Sequence, residues 1–141
     1  MKHTRIFKYV IVTLVVCFGL GACSSGGGVQ ATEKDFAITL GDSSAPSGDV
    51  TFNIRNDGPS THEFVVFKTD LAEDALPTKK ENGAVIVDEE GQGVTHIDEV
   101  EDIASGDSQD LTVKLDPGKY VLICNLPTHY QLGMHATFTV K

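Results

Sequence analysis

Residues 111–134 read Leu-Thr-Val-Lys-Leu-Asp-Pro-Gly-Lys-Tyr-Val-Leu-Ile-Cys-Asn-Leu-Pro-Thr-His-Tyr-Gln-Leu-Gly-Met. Leu111, Val113 and Leu115 alternate with polar residues, Asp116-Pro117-Gly118 has the composition of a turn, and Tyr120, Leu122 and Cys124 alternate again. A period of two puts the apolar side chains on one face of an extended chain, so the stretch reads as two strands joined by a tight turn. The same parity carries Cys124 to the face of Tyr120 and Leu122. Cys124, His129 and Met134 then follow with four residues between successive members. A thiol, an imidazole and a thioether therefore share one loop between one strand and the next. Such a loop can wrap a single ion while the strands hold its ends.

Outward from this stretch the period-two pattern persists. Ala136, Phe138 and Val140 alternate in a last strand, and Phe36, Ile38 and Leu40 do so near the start of the domain. The polar cluster 41–49 separates that run from Val50, Phe52 and Ile54, and Asn56-Asp57-Gly58-Pro59-Ser60 forms the next turn. Phe64-Val65-Val66-Phe67 is apolar on both faces, which predicts a central strand covered on both sides. His62 shares parity with Phe64 and Val66 and can join the loop residues as a further ligand. Residues 69–110 are less regular. Leu71–Leu76 predicts a helical turn or two before Pro77, while Ala84–Val87 and Val94–Ile97 predict short strands. The acidic runs Asp88–Glu90 and Asp98–Asp102 read as solvated faces, with a docking patch for a basic partner as the sharper alternative. With some seven or eight short strands and no long helix, the pattern predicts an all-β, antiparallel sandwich or barrel with an irregular excursion at 69–110. A length of 141 residues allows one such domain.

The N-terminus is set apart. Met1–Lys8 carries three basic residues, and Tyr9–Leu20 is almost wholly apolar yet short for a membrane span of about 20 residues. Leu20-Gly21-Ala22-Cys23 resembles the lipobox of bacterial-type lipoproteins, which implies cleavage before Cys23 and lipidation of its thiol. The expected organisation is a signal peptide at 1–22, a lipidated Cys23 with a Ser/Gly-rich tether at 23–30, and a globular domain at 31–141. Location would then be extracytoplasmic, at the periplasmic face or cell surface, with the lipid as the only membrane contact. Cleavage leaves 8 basic against 20 acidic residues, a net charge of −12, which argues against nucleic acid as a partner. It also removes Cys17 and commits Cys23, so Cys124 has no intramolecular disulfide partner. An exported protein needs a reason to keep such a thiol reduced, and metal ligation supplies one.

Soft sulfur and imidazole without a carboxylate favour copper over magnesium, calcium or manganese, and structural zinc sites favour paired cysteines that this chain lacks. The motifs Asn56–Phe64, Leu115–Cys124, Pro127-Thr128-His129 and Gly133-Met134, in this order and spacing, resemble those of the cupredoxins. The resemblance spans roughly residues 31–141 and implies a Greek-key β-sandwich holding one copper that cycles between Cu(I) and Cu(II). It assigns His62, Cys124 and His129 as equatorial ligands and Met134 as the axial one, leaving His96 and His135 as non-ligands. Thr128 stands where glycine is common, His135-Ala136 follow the methionine where glycine is often found two places on, and Glu63 stands where some members have a bridging asparagine.

The resemblance further implies a monomeric carrier of single electrons rather than an enzyme. Its partner would be a redox protein, docked at an apolar patch of Leu126, Pro127, Tyr130 and Leu132 around His129 and steered by charge if it is basic. Copper delivery or storage is the alternative, disfavoured by the lack of further Met- or His-rich tracts. Copper oxidases and nitrite reductases use additional domains and histidine ligands, and a metal-free adhesion sandwich would leave the ligand set unexplained.

Overall fold

The alternation around Phe52 and Val113 becomes hydrogen-bonded pairing in the computed structural model, which describes residues 27–141. Strands β1 (Val29–Lys34), β2 (Ala37–Leu40), β4 (Gly48–Asn56) and β9 (Ser108–Leu115) form one sheet in the order β2-β1-β4-β9. Strands β3 (Ser44–Ala45), β5 (His62–Thr69), β8 (Val94–Ile103), β10 (Gly118–Ile123) and β11 (His135–Val140) form the other, in the order β3-β11-β10-β5-β8. A separate ribbon pairs β6 (Thr78–Glu81) with β7 (Ala84–Val87). The expectations for Cys17, Cys23 and the rest of residues 1–26 lie outside the described residues.

The inward faces of the two sheets meet in one core. Val29, Ala31, Val50, Phe52, Ile54 and Val113 come from the first, and Phe64, Val66, Tyr120, Leu122, Phe138 and Val140 from the second. The Phe52 ring lies 5.3 Å from Phe64 and 5.2 Å from Phe138 between centroids, bridging the layers with tilted, edge-on contacts. Burying side chains of this size contributes about 1.5–3 kcal/mol each, which makes this layer the main source of stability.

Several expectations need correction. Eleven strands replace the seven or eight, the additions being β1, the two-residue β3 and β6, which pairs with the expected strand at Ala84–Val87. Pairing is mixed, because β1 runs parallel to β4 and β3 parallel to β11. The chain crosses to the second sheet between β2 and β4, so no hairpin forces β1 and β4 to oppose one another. Pairing begins at Val29, inside the stretch assigned to the tether, because Val29 is buried and in register with Phe52.

No helical turn forms at Leu71–Leu76, where the Leu76 N–H donates instead to the Tyr130 hydroxyl at 2.9 Å. The short strand expected at Val94–Ile97 runs on to Ile103, since Ile97, Val100 and Ile103 reach the core while the acids between them stay partly in water. Most informative is the outer face of the second sheet. Val65, Phe67, Val121 and Ile123 pack there against Leu76, Val87 and Tyr130, so the excursion is a lid over that face. This is why Phe64–Phe67 is apolar on both sides.

Candidate metal centre

Three strand ends converge at one pole of the sandwich. His62 opens β5, Cys124 follows β10, and Met134 precedes β11, all fully buried. His129 lies in the connecting loop and is half-buried. The β10–β11 register pairs Ile123 with His135, and the Cys124 N–H donates to the Met134 carbonyl at 3.1 Å, so the strands close the loop beneath the thiol. Within it, the Met134 N–H donates to the His129 carbonyl at 3.1 Å and the His129 N–H to the Leu126 carbonyl at 3.0 Å. A single 3₁₀ turn at Tyr130–Leu132 ends on Gly133 at φ 111°, a left-handed conformation suited to glycine. Thr128 holds φ 71°, so the position where glycine was noted as common does adopt a glycine-like backbone.

The donor atoms meet. His129 Nδ1 lies 3.3 Å from Cys124 Sγ and 3.3 Å from His62 Nδ1, and Cys124 Sγ lies 3.9 Å from His62 Nδ1. An ion about 2 Å from each nitrogen and about 2.3 Å from sulfur would separate such donors by about 3.3–3.8 Å. Three Lewis bases facing one point at these distances fit a metal better than they fit a network of hydrogen bonds. Burial lowers the pKa of both histidines, keeping the imidazoles neutral and their lone pairs free. Burial pushes the Cys124 thiol up to about 12 in the metal-free protein, so ion binding displaces a proton from sulfur. The Glu63 N–H donates to Sγ at 3.4 Å, and the Leu126 N–H also favours the thiolate. The residue after His62 thus supports the sulfur through its backbone, whatever its side chain.

Five residues that shape the site had no role assigned from the sequence. Asp35 Oδ1 sits 2.9 Å from His62 Nε2 and fixes the ring with Nδ1 facing the centre, while Ser60 Oγ donates to Asp35 Oδ2 at 2.5 Å. Asn56 ties the loop before His62 together. Its Nδ2 donates to the Ser60 and Ile103 carbonyls at 2.7 and 2.8 Å, and its Oδ1 accepts from the Gly58 N–H at 2.8 Å. Gly58 itself leaves room, because a Cβ there would lie 2.8 Å from Asp35 Oδ1 and 3.0 Å from His62 Nε2. The fifth is Phe36, expected to share a strand face with Ile38 and Leu40, which places its ring 5.1 Å edge-on from that of His129 and is 39% exposed. An Asp or Asn flanking a turn is too common a signal to have singled these residues out.

The expected surface patch is revised as well. Pro127 and Leu132 are exposed and Leu126 is half-buried, but Tyr130 is buried under the lid with its hydroxyl on Leu76. Phe36 takes the place expected of Tyr130 beside His129. His135 lies 3.6 Å from Glu73 through Nδ1 and stacks near Tyr130, apart from the donor set. His96, on β8, lies near Glu99 of the same strand and Glu89 of the preceding loop, a half-buried cluster without a thiol.

Comparison with solved structures places the fold. The chain resembles reduced auracyanin from Roseiflexus castenholzii with a TM-score of 0.57 and 21% identity, covering 79% of this chain and 94% of that one. It resembles auracyanin A from Chloroflexus aurantiacus, described as a "blue" copper protein, with a TM-score of 0.54 and 19% identity over 82% of this chain and 100% of that one. For rusticyanin from Thiobacillus ferrooxidans the TM-score is 0.55 and the identity 15%, covering 83% and 79%. A search of curated proteins returned no match. Residues 28–141 match the family described as copper binding proteins, plastocyanin/azurin family. With its sandwich fold and a converging His62, Cys124, His129 and Met134 set that suits one copper ion, the chain belongs to the plastocyanin/azurin family of copper-binding proteins.

Proposed function

We propose that the protein carries single electrons between extracytoplasmic redox proteins while tethered to a membrane through Cys23. The observation that carries the reading is the graded burial of the donors. His62, Cys124 and Met134 are fully buried, whereas His129 reaches the surface amid Phe36, Pro127 and Leu132. Bound copper would supply the one-electron couple. The chain's part is to hold the donors on paired strands so that they move little between oxidation states, to exclude water, and to offer one imidazole edge to a partner. A set with three of its four donors fully buried suits electron passage better than release of the ion.

The tether fits this arrangement. Strand β1 runs from Val29, in register with Phe52, to the Asp35 turn beside His62, so the chain enters at the pole remote from the metal. Lys68, Lys114, Lys119 and Lys141 lie at or beside strand ends of that remote pole, leaving most of the net negative charge on the metal half. A basic partner would be drawn toward the His129 face, faster at low salt.

Copper-loaded protein should show an intense thiolate-to-copper visible band that Cys124→Ser abolishes, and rapid electron self-exchange. A colourless protein with full copper loading would refute the carrier reading, and slow exchange with ready copper transfer to a recipient would favour delivery. Incorporation of labelled fatty acid that Cys23→Ser removes tests the tether.

A further inference from the structure

Glu33 is the one carboxylate of β1 that points inward, in the series Val29, Ala31, Glu33. It is 0% exposed, and neither carboxyl oxygen has a hydrogen-bond partner. Its backbone is satisfied, with the Glu33 carbonyl accepting from the Asp57 N–H at 2.9 Å, so the strand is well formed and only the side chain is stranded. Register places it opposite Ile38 of β2 and Asn56 of β4, two residues before the Asp35 that braces His62. An ionised carboxylate in such surroundings is costly, and a leucine there would extend the core without penalty.

The charges around Glu33 make the site sensitive to the metal. The Glu63 carboxyl of β5 is close enough to act on it electrostatically, and Glu33's own charge acts on the Cys124 sulfur at the end of β10. The nearby Asp35 carboxylate is engaged by Ser60 and His62, and behind Glu63 lie Glu89, Glu99 and Glu101. Among the described residues, no cation figures among the groups that act on Glu33. Burial, then Glu63, push its pKa up to about 8, where an exposed carboxyl would be ionised at neutral pH.

We propose that Glu33 is a proton-binding site coupled to the metal, taking up a proton when the centre is reduced and releasing it on oxidation. The inference rests on the electron-carrier reading. A divalent ion with one thiolate carries net charge +1, which favours Glu33 as carboxylate; the monovalent ion with the same thiolate is neutral and withdraws that support. One electron from a redox donor and one proton from water therefore enter together. The only bond formed is the O–H of Glu33, and copper is the atom reduced.

The test is spectroelectrochemical titration of the copper-loaded full chain from acid to alkaline pH. The midpoint should fall with rising pH across a window around neutrality by up to about 59 mV per unit, the one-electron equivalent of a tenfold change per pH unit. Glu33→Gln should flatten that slope and leave the potential near the wild-type acid limit. On the wild-type protein, which needs no variant to fold, reduction at neutral pH should bring up the infrared carbonyl band of a protonated carboxyl, absent from Glu33→Gln. A slope and band that survive in Glu33→Gln, or that vanish only in Glu63→Gln, overturn the proposal. Loss of any reversible one-electron wave would instead overturn the carrier reading on which it rests.

Discussion

Replacing Asn56 by alanine isolates what holds His62 in place. The side chain is fully buried and makes three hydrogen bonds, to Gly58, Ser60 and Ile103. Truncation leaves one N–H and two carbonyls without this partner, at about 1 kcal/mol each in net terms and more where water cannot enter. The expected loss is therefore about 3–5 kcal/mol in the metal-free protein. With a urea slope of about 2 kcal/mol/M for a domain of this size, the midpoint should fall by about 1.5–2.5 M. Asn56→Asp is the informative companion, since it keeps the acceptor for Gly58 and loses both donated bonds. It should fall short of wild type by roughly two-thirds of the alanine loss, plus the cost of the buried charge wherever it is ionised. Because Gly58 and Ser60 flank the Asp35–His62 contact, both variants should also hold copper more weakly, measured by chelator competition. A midpoint shift below about 0.3 M for Asn56→Ala would refute the argument.

Thr128→Gly relieves a β-branched residue at φ 71°. Against a strain of about 1–3 kcal/mol stands an added backbone entropy cost of about 0.5–1 kcal/mol, so thermal unfolding should show a net gain of about 1 kcal/mol. Gly58→Ala should weaken copper binding by about 10–100-fold in chelator competition, the range for lost outer support of a ligand, because its Cβ would push between Asp35 and His62. The metal-free protein should also show a two-sided stability profile. His62 and His129 have folded pKa values below the ordinary 6.5, so their contribution is present above that value and is lost as pH falls through the folded ones. Glu33 and Glu63 are raised from 4.5 to about 8 and about 7, so stability declines as pH rises between those limits. Glu33→Gln should shallow the alkaline limb in urea titrations by up to about 5 kcal/mol and leave the acid limb intact.

Much of the core was legible because its rule is simple. Val50, Phe52, Ile54, Leu111, Val113 and Leu115 alternate without interruption, and they pair as β4 and β9 in the register that alternation implies. The donor set was legible for a different reason, since thiol, imidazole and thioether chemistry is rare enough to stand out in a short loop. What stayed hidden depends on long-range packing. Asp35, Asn56 and Glu33 are ordinary polar residues until β1 and β4 lie side by side, which sets Glu33 opposite Asn56 and lets Asp35 reach His62. Tyr130 looked like a surface aromatic because the lid that buries it comes from residues 71–87, where no period announces the fold. The parallel pairing of β1 with β4 was equally invisible, because alternation fixes faces and carries no direction.

Asn125 imitates a strand residue without belonging to one. Its side-chain amide accepts from the Val87 N–H at 2.6 Å and donates to the Val87 carbonyl at 3.1 Å and to Glu89 Oε1 at 3.0 Å. The residue bonded directly to Cys124 is thereby stapled to the end of β7. One consequence is mechanical. The exposed tip of the ribbon, Lys79 to Gly83, becomes a handle whose displacement is passed along β7 to the backbone beside the sulfur. A cross-link or an antibody fragment seated on that tip, well away from every ligand, would be reported by a change in the colour of the metal.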